Sequence, residues 1–263
     1  MTDGTLYESI GPGYARARRP DPRIAARLRG ALRGARTLLN VGAGTGNYEP
    51  GDRAVVAVEP AAAMLAQRPP TAAPAVRAVV EALPFGDTAF DAALATFTVH
   101  LWHDLAAGLA ELRRVARRQV ILMTEPEIGR RFWLTRYFPE SLTLPSEAHA
   151  PSVADIGEHL DVRAVEAVPV PADCTDGFVG SFWNRPEAFL DPAVRAGMSI
   201  LAQLPPEAAA RGVRRLRSDL ASGEWDARYG HLRTLETYDY GYRLVVAGEV
   251  RAVRASPART ASW

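Results

Sequence analysis

Short apolar runs and amphipathic stretches alternate along the first half of the chain. Thr37–Val41 (TLLNV) and Ala54–Val58 (AVVAV) are nearly unbroken apolar pentads. Ala75–Val80 (AVRAVV), Phe90–Phe97 (FDAALATF) and Gln119–Thr124 (QVILMT) repeat the theme. Runs of this length without polar alternation suit strands buried on both faces. Between several of them lie helical stretches, such as Ala61–Arg68 (AAAMLAQR) and Asp104–Arg118 (DLAAGLAELRRVARR). The pattern predicts a parallel sheet with helices on both sides. Upstream, Asp21 stands at a cap position, Pro22 follows in the first turn, and Ile24, Leu28 and Leu32 fall on one helical face.

The rhythm changes after Thr124. Ser152 to Asp155 spells a capping box at the head of a helix, and Val162–Val170 has strand character. From Pro171 to about Tyr240 the chain is helical in pattern and rich in aromatics, before Tyr242–Gly248 (YRLVVAG) closes as another strand. An insertion of that length is too long for an idle connection. The expected organisation is therefore an N-terminal helical arm (1–35), an α/β core (36–170 and 241–250), a helical cap (171–240) and a mobile tail (251–263).

Composition narrows the function classes. The chain has 263 residues, 48% of them hydrophobic and 23% charged, as in ordinary globular proteins. A net charge of +1 gives no reason to expect nucleic acid or an anionic membrane as partner. The single cysteine, Cys174, excludes an internal disulfide framework and a multi-cysteine zinc site. No apolar run is long enough to span a bilayer and no signal-peptide core is seen, so a cytoplasmic location is expected.

The chemistry concentrates at Gly42, Gly44 and Gly46, which follow the first strand, and at Glu59, which ends the second. Glycines there let the backbone turn sharply and let a ligand lie against it. A helix following such a loop would offer free N–H groups. Dinucleotides and S-adenosylmethionine both exploit this arrangement. The dinucleotide fingerprint needs a small residue where this chain has Asn47, and no Gly-Lys-Ser/Thr follows for a phosphate loop.

LLNVGAGTGNY with VVAVEP resembles the first two motifs of class I S-adenosylmethionine-dependent methyltransferases, and VVEALPFGDTAFDAALATFTVHLW resembles the third and fourth. The form is that of the ubiquinone/menaquinone-biosynthesis type of small-molecule methyltransferase, over about Arg36 to Glu125. The resemblance implies a Rossmann-like, doubly wound, mostly parallel seven-stranded sheet with an antiparallel last strand. It implies S-adenosyl-L-methionine as cofactor and a small molecule as methyl acceptor. Gly42, Ala43 and Gly44 would lie under the methionine portion, and Glu59 would accept from both ribose hydroxyls. Pro60 and Met64 would wall the adenine, with Glu81, Ala82 and Leu83 at its other edge. The family's usual Asp two places before that Glu is Val79 here, which leaves the exocyclic amine to backbone groups. Thr96 would line the site. Tyr14 and Arg18 of the arm would cover the cofactor, Arg18 pairing with its carboxylate.

On the acceptor side, His100 is the candidate base or acceptor ligand, because a histidine takes a proton near neutrality. Tyr7, Phe97, Trp102, Phe178, Phe182 and Trp183 are candidate substrate residues. His103 lies close to His100, but no third ligand with metal-site spacing accompanies the pair, so no metal is expected. The leading expectation is an enzyme that transfers a methyl group to a metabolite or natural product. A non-catalytic S-adenosylmethionine-binding scaffold is the alternative, and a nicotinamide oxidoreductase a weaker one.

Overall fold

The structure, a computed structural model, describes residues 7–8 and 14–249. The side chain of Tyr14 and the expected tail at 251–263 lie outside the described residues. Seven strands form one sheet: β1 (Thr37–Val41), β2 (Ala54–Val58), β3 (Ala75–Val76), β4 (Phe90–Thr96), β5 (Ala116–Thr124), β6 (Val162–Ala167) and, last in the chain, the strand Tyr242–Gly248. Two further short strands, β7 (Val170–Pro171) and β8 (Thr237–Tyr238), pair with each other, so Tyr242–Gly248 is β9. The sheet order is β3-β2-β1-β4-β5-β9-β6. All pairings are parallel except those of β9, which runs antiparallel to both β5 and β6.

Alternate side chains along each strand enter different cores. Leu38, Leu94, Val120, Leu122 and Leu244 face one side, where α1 (Pro22–Ala31) inserts Ile24 and Leu28. Leu39, Val41, Ala93, Ala95, Ile121 and Val245 face the other, against Leu109, Leu112 and Val115 of a second helix (Leu105–Val115). Asp21 caps α1, accepting from the Arg23 N–H, and also accepts from the Thr175 N–H. Burial alone would raise its pKa, but these bonds and the Arg23 guanidinium hold it down at about 2.

The β1–β2 connection departs from the expectation of a helix. Residues 42–53 form turns only. Gly42, Gly44, Gly46 and Tyr48 all have positive φ, a conformation no α-helix contains, and Pro50 and Gly51 follow. The loop is braced from beneath by Glu49, which accepts from Asn40, Arg68 and the Ala73 N–H.

The cap also differs from its expected limits. Residues 126–149, assigned by sequence to the core, fold into short helical turns that pack with 171–236. Trp133 meets Trp225 and Phe189 edge-on, the Tyr137 hydroxyl donates to Asp219, and Phe138 lies where a Cβ on Gly212 would stand. Cap and sheet share one continuous hydrophobic cluster, so the cap is an extension of the core.

Candidate functional site

The sheet order reverses between β1 and β4, the place where open α/β sheets bind ligands beyond their strand ends. Register brings three chain segments level there: Val41 pairs with both Val58 and Ala95. Their next residues, Gly42, Glu59 and Thr96, therefore stand side by side on one cavity of about 310 Å³. Glu59 is 6% exposed and accepts from the Gly44 N–H at 2.8 Å and the Ala61 N–H at 3.0 Å. Burial raises its pKa, while those two bonds and the nearby Arg68 oppose the rise. Two polar atoms on this cavity are buried without a partner: Asn47 Nδ2 and Thr96 Oγ1.

Gly42 is glycine because of the protein itself. A Cβ there would lie 2.1 Å from Thr98 Oγ1, and φ is +63°. The expected close neighbour, a ligand, is thus preceded by a side chain from the β4 exit.

Pro60, Met64, Ala43 and Gly44 line the cavity as the sequence suggests, and of Glu81, Ala82 and Leu83 only Glu81 does. Ala78, Val79 and Val80 form one wall together with Glu81, whose carboxylate accepts from the His103 and Asp104 N–H groups. Ala82 and Leu83 lie off the wall. The Leu83 N–H is bound by Glu111 and its side chain belongs to the core. Trp102, expected near substrate, lines this larger cavity instead, held over Gly108, where a Cβ would meet its ring at 2.7 Å.

A second cavity, of about 120 Å³, shares Tyr7, Arg18 and Phe97 with the first. Phe97 has φ of +53°, and its ring packs on Phe178 and Tyr242 as a partition between the two. Arg18 does not face a vacant charge. Its guanidinium forms a two-point ion pair with Asp176 of the cap, Nε donating at 2.6 Å and Nη2 at 3.1 Å. The Tyr48 hydroxyl donates to the same carboxylate at 2.9 Å and accepts from the Asp21 N–H. Burial, then the Asp176 charge, pushes that phenol far above its ordinary range. One network thus joins arm, glycine loop and cap.

His100 lines the smaller cavity, and burial lowers its pKa to about 4, so its imidazole is neutral at pH 7. Phe178 lines this cavity too. Phe182 and Trp183 line neither. Trp183 is fully buried and stacks on Tyr238, and Phe182 packs on Phe189 and under Arg185, so both hold the cap together.

Sequence reasoning missed Asn40, Glu49, Arg68 and Thr98. It also missed Glu147, which lines the smaller cavity. Asn40 alone had a local signal, as a polar residue inside an apolar strand. The others arrive from distant segments and carried none.

Among the described residues, no group of three or more His, Cys, Asp or Glu is placed to hold a metal ion, and no helix is long and apolar enough to cross a membrane.

Residues 39–124 match the family model described as a methyltransferase domain. Among solved structures, the chain resembles a putative methyltransferase from an antibiotic biosynthesis pathway of Anabaena variabilis ATCC 29413. The two share 28% identity over 89% of this chain and 99% of the other, with a TM-score of 0.80. The [4+2]-cyclase SpnF is 15% identical over 95% of this chain and 97% of its own, with a TM-score of 0.55. A geranyl diphosphate C-methyltransferase from Streptomyces coelicolor A3(2) is 15% identical over 86% and 75%, with a TM-score of 0.50. At that identity the last two share the fold alone. A stretch of 37 residues is 43% identical to the uncharacterized protein YafE of Escherichia coli K12, and this match spans 14% of this chain and 18% of that curated relative.

Proposed function

Because the chain belongs to the class I S-adenosylmethionine-dependent methyltransferase family, we propose that it transfers a methyl group from S-adenosyl-L-methionine to a small-molecule acceptor. The observation that carries this reading is a two-chambered site divided by Phe97, with Glu59 and two orphaned polar atoms in one chamber and His100 in the other.

The larger chamber's residues fit the cofactor. Glu59, fixed by two backbone N–H groups, retains lone pairs for a ribose diol. Asn47 Nδ2 is a free donor suited to a carboxylate, and Thr96 Oγ1 an acceptor suited to an ammonium, the two charged ends of a methionine. Leaving such atoms unpaired costs about 1–3 kcal/mol each, which a ligand supplying partners would recover. Met64, Pro60 and Val79 offer apolar walls for a purine.

S-adenosylmethionine, when bound, supplies a methyl group already activated on a sulfonium. The protein's task is to align acceptor and methyl and to exclude water, and alignment alone accounts for roughly 7–11 kcal/mol of barrier lowering. Phe97, Tyr7 and Arg18 touch both chambers, so they position the two reactants relative to each other. The smaller chamber and the helical segments around it set the acceptor's size. His100, neutral at physiological pH, accepts or donates one hydrogen bond at the acceptor. Titration calorimetry tests the reading. S-adenosylmethionine and S-adenosylhomocysteine should each bind one site, and NADH should not. Absence of binding by both nucleosides would overturn it.

A further inference from the structure

The smaller cavity holds a carboxyl that nothing in the described protein pairs. Glu147 sits in a helical turn, Pro145–Ala148, that packs against the Val99–Leu101 turn carrying His100. Among the described residues, its half-buried side chain makes no hydrogen bond and no ion pair. Arg130, on the same cavity wall, is occupied elsewhere: Nη1 donates to Glu127, and Nη2 donates to the backbone carbonyls of Glu147 and Ala148. The Arg130 charge is nonetheless felt at Glu147, opposing the rise that burial imposes on its pKa. Tyr240 faces the same carboxyl, and burial and the Glu147 charge both push its phenol up. With the rings of Phe97, Phe178 and Tyr242, the cavity is an aromatic enclosure whose one acid has no bonded partner; of the two guanidiniums on its wall, Arg18 is paired with Asp176 and Arg130 acts on Glu147 by its charge alone.

Buried charges are paired in stable proteins, and aromatic faces attract cations. An acid left unpaired in such an enclosure calls for a cationic ligand. We propose that Glu147 is the acceptor-binding residue and that the acceptor is a small amine, held as its ammonium by the Glu147 carboxylate. The proposal rests on the methyl-transfer reading above. Its proton bookkeeping is simple. One ammonium proton passes to the Glu147 carboxylate and the nitrogen lone pair is freed. The nitrogen–carbon bond then forms as the carbon–sulfur bond of the sulfonium breaks. Products are the methylammonium and a neutral thioether, and Glu147 returns its proton to solvent. His100 lies within the same cavity as an uncharged hydrogen-bond partner, so it adds no competing positive charge.

The test compares amines with their neutral isosteres in the presence of S-adenosylhomocysteine. Benzylamine and phenethylamine are titrated against benzyl alcohol and phenethyl alcohol, by calorimetry at pH 7, on wild type and Glu147→Gln. The amines should bind at least tenfold more tightly than the alcohols. That preference should vanish in Glu147→Gln, with S-adenosylhomocysteine affinity unchanged within twofold and the thermal melt intact. Equal affinity for both classes, no binding of any probe, or a preference that survives Glu147→Gln would overturn the amine assignment. Failure of S-adenosylhomocysteine itself to bind would instead sink the methyl-transfer reading. Should Glu147→Gln fold poorly, Glu147→Asp serves in its place: the shortened carboxylate should retain amine preference at reduced affinity.

Discussion

The two chambers meet at Phe97 but follow opposite building plans. The larger draws most of its wall from strand exits that the sheet register holds level, and its central acid is already bonded to the backbone. The smaller collects residues from the arm, the β4 exit, the segment after β5, the cap and β9, and its acid has no partner. A chamber for a fixed ligand can afford prepaid order, whereas a chamber that defines its own ligand keeps its polar groups uncommitted. Preorganised sites gain most from rigid elements.

The comparison breaks most severely at the network spanning both chambers. Asp176→Ala removes the carboxylate that the Arg18 guanidinium and the Tyr48 hydroxyl share. Loss of one member of a buried pair costs about 3–5 kcal/mol, so chemical denaturation should show a drop of that size, and ligand affinity should fall in both chambers. A change confined to one chamber would contradict the bridging role.

Gly42→Ala comes next and is specific to the larger chamber. Its Cβ would collide with Thr98 at a residue of positive φ. Overpacking and the left-handed backbone together predict a loss of about 3 kcal/mol, read as a lowered melting temperature with S-adenosylhomocysteine binding abolished. Glu59→Ala should leave the fold in place and weaken cofactor binding by about 1.5–3 kcal/mol, the range for a hydrogen bond to a charged group. Calorimetry showing unaltered affinity would remove Glu59 from the ribose role.

The last test is a pH slope. Folding holds His100 at about 4, below its ordinary 6.5. The unfolded chain therefore takes up a proton first, and stability falls as pH drops from about 6.5 to about 4, then levels. Glu147 acts in the opposite sense, since its raised pKa favours the folded state in acid and loses that contribution as pH climbs through the folded value. Urea titrations across this window should show a shallower acid-side loss in His100→Asn than in wild type. An identical profile would mean that the imidazole is solvated in the native state.

Much of the sheet was legible before any coordinates. Thr37–Val41, Ala54–Val58 and Tyr242–Gly248 match their strands to the residue, because inner strands demand apolar side chains on both faces. Ala75–Val80 did not. Only Ala75 and Val76 pair, since β3 has a neighbour on one side alone, and residues 78–80 turn into the cavity wall. The helix expected at Ala61–Arg68 stops at Leu65, with Pro69 and Pro70 close behind. The cap resisted for a different reason. Whether Phe178 faces a cavity while Trp183 faces the interior depends on contacts with Tyr242 and Tyr238, some sixty residues away in sequence. Aromatic content predicted a packed cap and gave no orientation. Glu147 sat in a stretch assigned to the core, and only folding placed it beside His100.

The clasp of Arg18, Tyr48 and Asp176 carries a lesson for anyone grafting a new cap onto this scaffold. Its members come from three pieces of chain that a domain swap would naturally separate. A transplanted cap lacking the acid would take from a guanidinium and a phenol of the recipient the carboxylate they share, whatever its own merits as an enclosure. The three positions form one linked trio, and exchange of all three together should preserve the fold where piecemeal exchange fails.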